Sequence, residues 1–160
     1  MKTKYFLFAG LFALAFVSMT LSAEDAAALS EKYFTQAGSD KAEDATEAKK
    51  TGQAYLEAAK TDADNLNEFA WKIMTDDGIK KRDLELAMRA AKAAFDLSEG
   101  KNAAIVDTYA RAFFDSGKIE DGIKWQKKAI AVCEDDTLKS ELQETLKKYE
   151  EKAAKPEEKK

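Results

Sequence analysis

Carboxylates are the main chemically capable side chains of this 160-residue chain, because it contains no histidine and a single cysteine. The commonest general base and zinc ligand is therefore missing, and one cysteine can form neither an intrachain disulfide nor a CxxC pair. Paired carboxylates occur at Asp76-Asp77 and Asp135-Asp136. Each pair lies beside an expected helix start, where a carboxylate accepts hydrogen bonds from free backbone N–H groups. Helix capping therefore explains these pairs better than acid–base catalysis does.

A calcium site is the other chemistry that the acidic residues suggest. Asp62-Ala63-Asp64 has the spacing of the first ligands in a calcium-binding loop. Leu66 occupies the next ligand position, and Asn67 stands where the turn requires glycine. The sequence also offers no set of nucleophile, base and orienting group. It predicts a protein that is not an enzyme and has no catalytic residues, no cofactor and no metal ion.

The amino-terminal segment has the layout of a secretory signal peptide. Lys2 and Lys4 precede an apolar run of 13 residues over 5–17, and small or polar residues follow as far as Ala23. A membrane-spanning helix needs about 20 residues, so an uncleaved anchor is the less favoured alternative. We expect a signal peptide over 1–23, cleavage after Ala23, no membrane span in the mature chain, and a periplasmic or secreted protein.

The charge balance argues against a nucleic-acid partner. The chain has 26 basic and 30 acidic residues and a net charge of −4, and removal of Lys2 and Lys4 with the signal peptide would lower it to −6. The remaining basic residues are interspersed with acidic ones and form no basic stripe interleaved with aromatics. Because such a surface repels a phosphate backbone, no nucleic-acid partner is expected.

The residues after the signal peptide predict an all-α fold. Alanine far outnumbers isoleucine and valine there, and apolar residues recur with helical spacing in seven segments. A flexible tail is predicted over 153–160, which holds the only proline, and this leaves a helical domain over 24–152. The breaks between helices fall at 38–40, 61–64, 75–78, 100–102, Gly117 and 135–136.

Two of the predicted helix pairs repeat each other. Each has a large residue followed by a small one in its first helix, and a small residue midway along its second. The first helices are offset by 40 residues and the second helices by 35, which predicts a loop about five residues longer in the first pair. Small residues let packed backbones approach closely, while large ones fill the gaps. The aligned positions are Phe69-Ala70 with Tyr109-Ala110, Ala87 with Gly122, and Ala94 with Ala129.

At these residues the sequence resembles the tetratricopeptide repeat (TPR). The better match runs over 103–136, and the weaker one, with the longer loop, over 66–100. Leu66 and Val106 stand where the family has tryptophan, Gly122 replaces the midway alanine, and no proline follows either second helix. The sequence is also similar to the repeat segments of exported bacterial thioredoxin-like proteins, although nothing in it resembles a thioredoxin domain.

The resemblance implies a short helical-hairpin solenoid of about two clear repeats. Residues 24–60 would form a degenerate first hairpin and residues 137–152 a capping helix, because about three stacked units are needed for stability. A protein or peptide would bind the concave face made by the first helix of each pair. The groove-facing positions that the resemblance implies are Asn67, Trp71, Met74, Asp107, Arg111, Phe114 and Asp115.

Some of these residues also have purely structural interpretations. Trp71 could be a core residue, and Arg111 could form an i,i+4 pair with Asp107. Trp125 is expected to pack against the terminal helix or, if exposed, to support self-association. The sequence favours an exported, non-catalytic interaction module that binds a protein or peptide. The alternative is a structural homo-oligomer, joined through the solenoid ends or Trp125 without a foreign ligand.

Overall fold

Seven α-helices form the part of the chain that the computed structural model describes, residues 23–154. Sequential helices pack as antiparallel hairpins, and contacts between α3 and α5 and between α2 and α4 join one hairpin to the next. The all-α prediction is confirmed, and the packing is consistent with a short solenoid. The helices are α1 (Ala23–Ala37), α2 (Ala42–Ala58), α3 (Ala63–Thr75), α4 (Leu84–Leu97), α5 (Ala103–Asp115), α6 (Ile119–Val132) and α7 (Asp136–Ala154).

The predicted domain boundaries lie close to the two ends of the described residues. The predicted signal peptide, up to residue 22, and residues 155–160 of the predicted tail lie outside the described residues. Helix α7 ends at Ala154, two residues beyond the predicted limit of the domain. Within residues 23–154, no helix is both long enough and apolar enough to cross a bilayer.

Side-chain caps begin four of the helices. Asp62, Asp83 and Asn102 accept hydrogen bonds from the first-turn N–H groups of α3, α4 and α5 at 2.9–3.3 Å. Asp135 caps α7 in the same way at 2.7 Å, as its acidic pair predicted. Asp76 differs from the prediction, because its carboxylate accepts from a backbone N–H two residues on and closes a turn after α3.

Small residues allow a close backbone contact between α5 and α6. A Cβ added to Gly122 would lie 3.2 Å from the carbonyl oxygen of Ala110 and 3.2 Å from the backbone nitrogen of Phe114. The aligned small residues Ala70 and Ala87 of the preceding hairpin are also fully buried. The repeat alignment thus identified the close approach at Ala110 and Gly122, and it aligned these residues with small residues that are also buried.

Aromatic stacks attach the flanking segments to the two repeats. Tyr55 of α2 stacks on Phe69 of α3 with ring centroids 3.9 Å apart. At the other end Tyr149 of α7 stacks on Phe114 of α5, also at 3.9 Å. Residues 24–60 and helix α7 therefore bury the apolar surfaces that two hairpins alone would expose.

The loops between paired helices have the predicted difference in length. Eight residues, 76–83, connect α3 to α4, and three residues, 116–118, connect α5 to α6. The longer loop is held on the end of α3 by Arg82, which donates from Nε to the carbonyl oxygen of Met74 and from Nη2 to that of Asp76, both at 2.9 Å. The extra loop residues are therefore held in place by hydrogen bonds from Arg82 to the end of α3.

Candidate functional site

Trp71 and Arg111 occupy equivalent positions of the two repeats and meet across α3 and α5. The guanidinium carbon of Arg111 lies 5.8 Å from the centroid of the Trp71 ring, a cation–π distance. Trp71 is 40% exposed, one of two exposed large hydrophobic side chains among the described residues. Trp71 is therefore a surface residue, not the core residue that the sequence left open.

Asp115 orients the Arg111 side chain. Its Oδ2 accepts a hydrogen bond from Arg111 Nε at 2.8 Å, and both side chains are partly buried. The i,i+4 partner of Arg111 is thus Asp115, one turn beyond it, and not Asp107 as the structural interpretation supposed. Among residues 23–154, the Nη groups of Arg111 have no hydrogen-bond acceptor, so they can donate to a ligand.

A shallow depression of about 480 Å³ adjoins this pair. It lies where the end of α3, the long loop, the start of α4 and the last turns of α5 come together. We name Trp71, Arg111, Asp115 and this depression the Trp71–Arg111 site. The depression is lined by Met74, Thr75, Asp77, Arg82, Leu84, Arg111 and Asp115.

Two of the predicted groove residues are packing residues. Met74 is 3% exposed, and its side chain belongs to the main apolar core although it lines the floor of the depression. Phe114 is covered by its stack with Tyr149. Both residues therefore contribute to packing, and their part in a binding groove stays a prediction.

Asn67 and Asp107 occupy intermediate environments. Asn67 is half-buried, and its buried Oδ1 has no hydrogen-bond partner within the described part of the chain. Asp107 accepts a hydrogen bond from Gln126 Nε2 at 2.7 Å, which ties α5 to α6. Burial raises the pKa of Asp107, although the Gln126 hydrogen bond and the charge of Arg111 act in the opposite direction.

Gln126 is a structural residue that the sequence reasoning missed. Its side chain is fully buried, and Nε2 also donates to the carbonyl oxygen of Leu142 on α7 at 3.2 Å. Its Oε1 and the hydroxyl of Tyr149 are buried without a partner among residues 23–154. The available signal was its place on the inner face of α6, between the buried residues Ile123 and Ala129.

Trp125 packs mainly against aromatic side chains of the two preceding helices. Its ring centroid lies 5.0 Å from that of Phe95 and 5.2 Å from that of Tyr109, so its aromatic partners belong to α4 and α5. The prediction named the terminal helix, or self-association if the ring were exposed; Trp125 also packs against apolar clusters that include Leu142 and Tyr149 of α7, but the contacts with the preceding helices were not predicted. Because the ring is half-buried, Trp125 offers less apolar surface than Trp71 does.

No protein-family model matches the chain, and a search of curated proteins found no match. Among the residues that the structure describes, no three His, Cys, Asp or Glu side chains form a group able to hold a metal ion. The described residues define a class of protein: seven antiparallel, packed helices in an arrangement consistent with a helical-hairpin repeat.

Proposed function

We propose that the protein is an exported, non-catalytic interaction module of the TPR-like class, which binds a protein or peptide through the Trp71–Arg111 site. The observation that carries the proposal is the exposure of Trp71, 40%, beside a partly buried arginine. Tryptophan and arginine are the residues most enriched at the energetic centres of protein interfaces. Covering the ring would gain about 25 cal/mol per Å² of apolar surface removed from water.

The two side chains favour a partner segment with one apolar and one acceptor group. An apolar side chain would lie on the Trp71 ring, and a carbonyl or carboxylate oxygen would accept from the Nη groups of Arg111. Because Asp115 and the ring already hold the guanidinium, less side-chain entropy is lost on binding. We propose no specificity for a C-terminal carboxylate, since Asn67 is the only amide in the predicted groove.

Export is the part of the proposal that rests on the sequence alone. The lysines, apolar run and small residues up to Ala23 support a cleaved signal and a periplasmic or secreted location. Mass spectrometry of the protein recovered from a bacterial envelope fraction tests it. A mature chain that begins at Glu24 is the expected result, and an intact residue 1 in that fraction contradicts cleavage.

A peptide selection tests the binding proposal directly. Displayed peptides are selected on the wild-type protein and then titrated against the Trp71→Ala/Arg111→Ala double variant. Leu97→Ala is the matched control, because Leu97 is the other exposed large hydrophobic side chain, 44% exposed, and it lies at the end of α4. The selected peptides should bind wild type and the control equally and the double variant about tenfold more weakly or worse.

Fluorescence locates the bound peptide. The chain has two tryptophans, so Trp125→Phe leaves Trp71 as the sole indole, and its emission should shift to the blue when a peptide covers it. Equal binding by all variants, with unchanged Trp71 emission, would remove this surface from consideration.

Self-association through the solenoid ends or Trp125 is the alternative, and the exposed side chain of Leu97 offers a further apolar surface for it. Light scattering over a range of protein concentrations separates the two. A concentration-independent oligomer in which Trp71 is shielded from a soluble quencher would support a structural homo-oligomer. A monomer with a quenchable Trp71 would support the binding module.

A further inference from the structure

A second depression, of about 550 Å³, lies between the α1–α2 turn and the long loop that joins α3 to α4. Its lining carries five cationic side chains and two carboxylates, although the chain as a whole has a net charge of −4. We name it the cationic depression. Its charged residues are Lys41, Lys49, Lys80, Lys81, Arg82, Asp40 and Asp83.

The two carboxylates do not neutralise the surplus positive charge. Asp40 forms an ion pair with Lys80, and Asp83 caps the first turn of α4. Among residues 23–154, the ammonium groups of Lys41, Lys49 and Lys81 have neither a hydrogen bond nor an ion pair. The three lysines outnumber the one carboxylate without an ion pair, Asp83, and leave the concave surface with a surplus of positive charge.

Tyr33 adds a neutral hydrogen-bond donor to the lining. The residue is 1% exposed, and its hydroxyl, which has no hydrogen-bond partner in the described part of the chain, is not among the fully buried polar atoms that lack one. Burial, with the charge of Asp83, raises the pKa of Tyr33, so the hydroxyl stays protonated and can donate.

The loop between α3 and α4, where the two repeats differ in length, forms part of the wall of the cationic depression. The long loop, five residues longer than its counterpart between α5 and α6, contributes Lys80, Lys81 and Arg82. It packs directly on the α1–α2 turn, because a Cβ added to Gly38 would lie 3.2 Å from the carbonyl oxygen of Gly78.

We propose that the cationic depression binds a compound that carries two or more phosphate groups. Its volume falls within the range of small-molecule sites, about 300–1,000 Å³. Lysine binds phosphate as a point charge, whereas bidentate recognition of a carboxylate needs a free guanidinium fork. Arg82 has no free fork, since Nε and Nη2 already donate to backbone carbonyls. The Tyr33 hydroxyl would donate to a phosphate oxygen.

Calorimetric titration with inorganic pyrophosphate tests the proposal on the purified protein. One saturable site is expected, weakened about tenfold or more by Lys49→Ala/Lys81→Ala and less by Tyr33→Phe. Lys49→Arg/Lys81→Arg should retain binding because it keeps both charges. Lys147→Ala/Lys152→Ala is the matched control, since it removes the same charge from exposed positions on α7 and should leave binding unchanged. Thermal unfolding shows that each variant is folded.

A vesicle sedimentation experiment distinguishes a free phosphate compound from a lipid headgroup as the bound group. Sedimentation with phosphatidylglycerol but not phosphatidylcholine vesicles, lost in Lys49→Ala/Lys81→Ala and competed by pyrophosphate, would assign the phosphates to lipid headgroups at this site. The proposal is overturned if neither probe binds in a manner that depends on Lys49 and Lys81. Equal weakening by the α7 control pair also overturns it, because the affinity would then follow overall charge. Neither lysine belongs to the Trp71–Arg111 site, so the outcome is independent of the proposed function.

Discussion

Replacing Gly122 with alanine tests the close contact between α5 and α6. In a helix with free space, glycine to alanine stabilises by about 1 kcal/mol, because alanine has the higher helix propensity. Here the new Cβ would lie 3.1 Å from Phe114 Cβ and 3.2 Å from both the Ala110 carbonyl oxygen and the Phe114 nitrogen. Two of these three atoms belong to the backbone of α5, so the helices themselves would have to move apart.

The expected result is a net loss of stability. Forcing an extra carbon into a packed interior costs about 1–3 kcal/mol. Set against the gain of about 1 kcal/mol in helix propensity, this leaves a loss of about 1 kcal/mol. For a chain of this length such a loss lowers the midpoint of thermal unfolding by about 4 °C.

Urea unfolding followed by circular dichroism measures the change. Position 124 supplies the matched control, because Lys124 is exposed and two residues further along α6. Comparing Lys124→Ala with Lys124→Gly gives the propensity difference without the contact, and alanine should be the more stable there. If Gly122→Ala stabilised the protein as much as alanine does at 124, the helices would not be in the contact described above.

Two further predictions concern the same face of α5. Ala110→Leu should lower the free energy of unfolding by about 1–3 kcal/mol, since Ala110 is fully buried. Ala104→Leu, at an exposed position of α5, is its control. An equal urea midpoint for Ala110→Leu and wild type would contradict the assigned packing. Asp107→Asn should raise the unfolding temperature at neutral pH, because burial raises the pKa of Asp107 and disfavours its charged form in the fold. Wild type should gain stability from this group as the pH falls through the raised value towards the unfolded value of about 3.9, so its difference from Asp107→Asn should shrink. A difference that stays constant over that interval would contradict the stated environment of Asp107.

The helices and the small-residue contact between α5 and α6 were predictable from the sequence because they depend on local and periodic signals. Capping residues such as Asp62 and Asn102 mark helix starts, and the alignment of Ala87 with Gly122 locates equivalent positions. The loop difference followed from offsets of 40 and 35 residues alone. Each of these features is encoded by residues close together or by a fixed spacing.

The site was predictable only in part, because side-chain partners depend on distances that spacing does not fix. Trp71 and Arg111 were placed on one face, yet the sequence did not show that Arg111 pairs with Asp115 while Asp107 accepts from Gln126. Phe114 was assigned to the groove because the sequence could not show that Tyr149 would cover it. The Lys80-Lys81-Arg82 run was visible, but nothing in its spacing placed it against α1 and α2.

The repeat and the departure from it contribute different things to this molecule. Stacking of equivalent positions brings Trp71 and Arg111 together, since residues 40 apart in sequence occupy the same place on successive first helices. The longer loop then borders both depressions. Arg82 of this loop and Leu84 at the start of α4 line the depression of the Trp71–Arg111 site and also the cationic depression. Because Arg82 fixes this loop to the end of α3, both surfaces depend on one short segment, and a substitution at Arg82 should disturb them together.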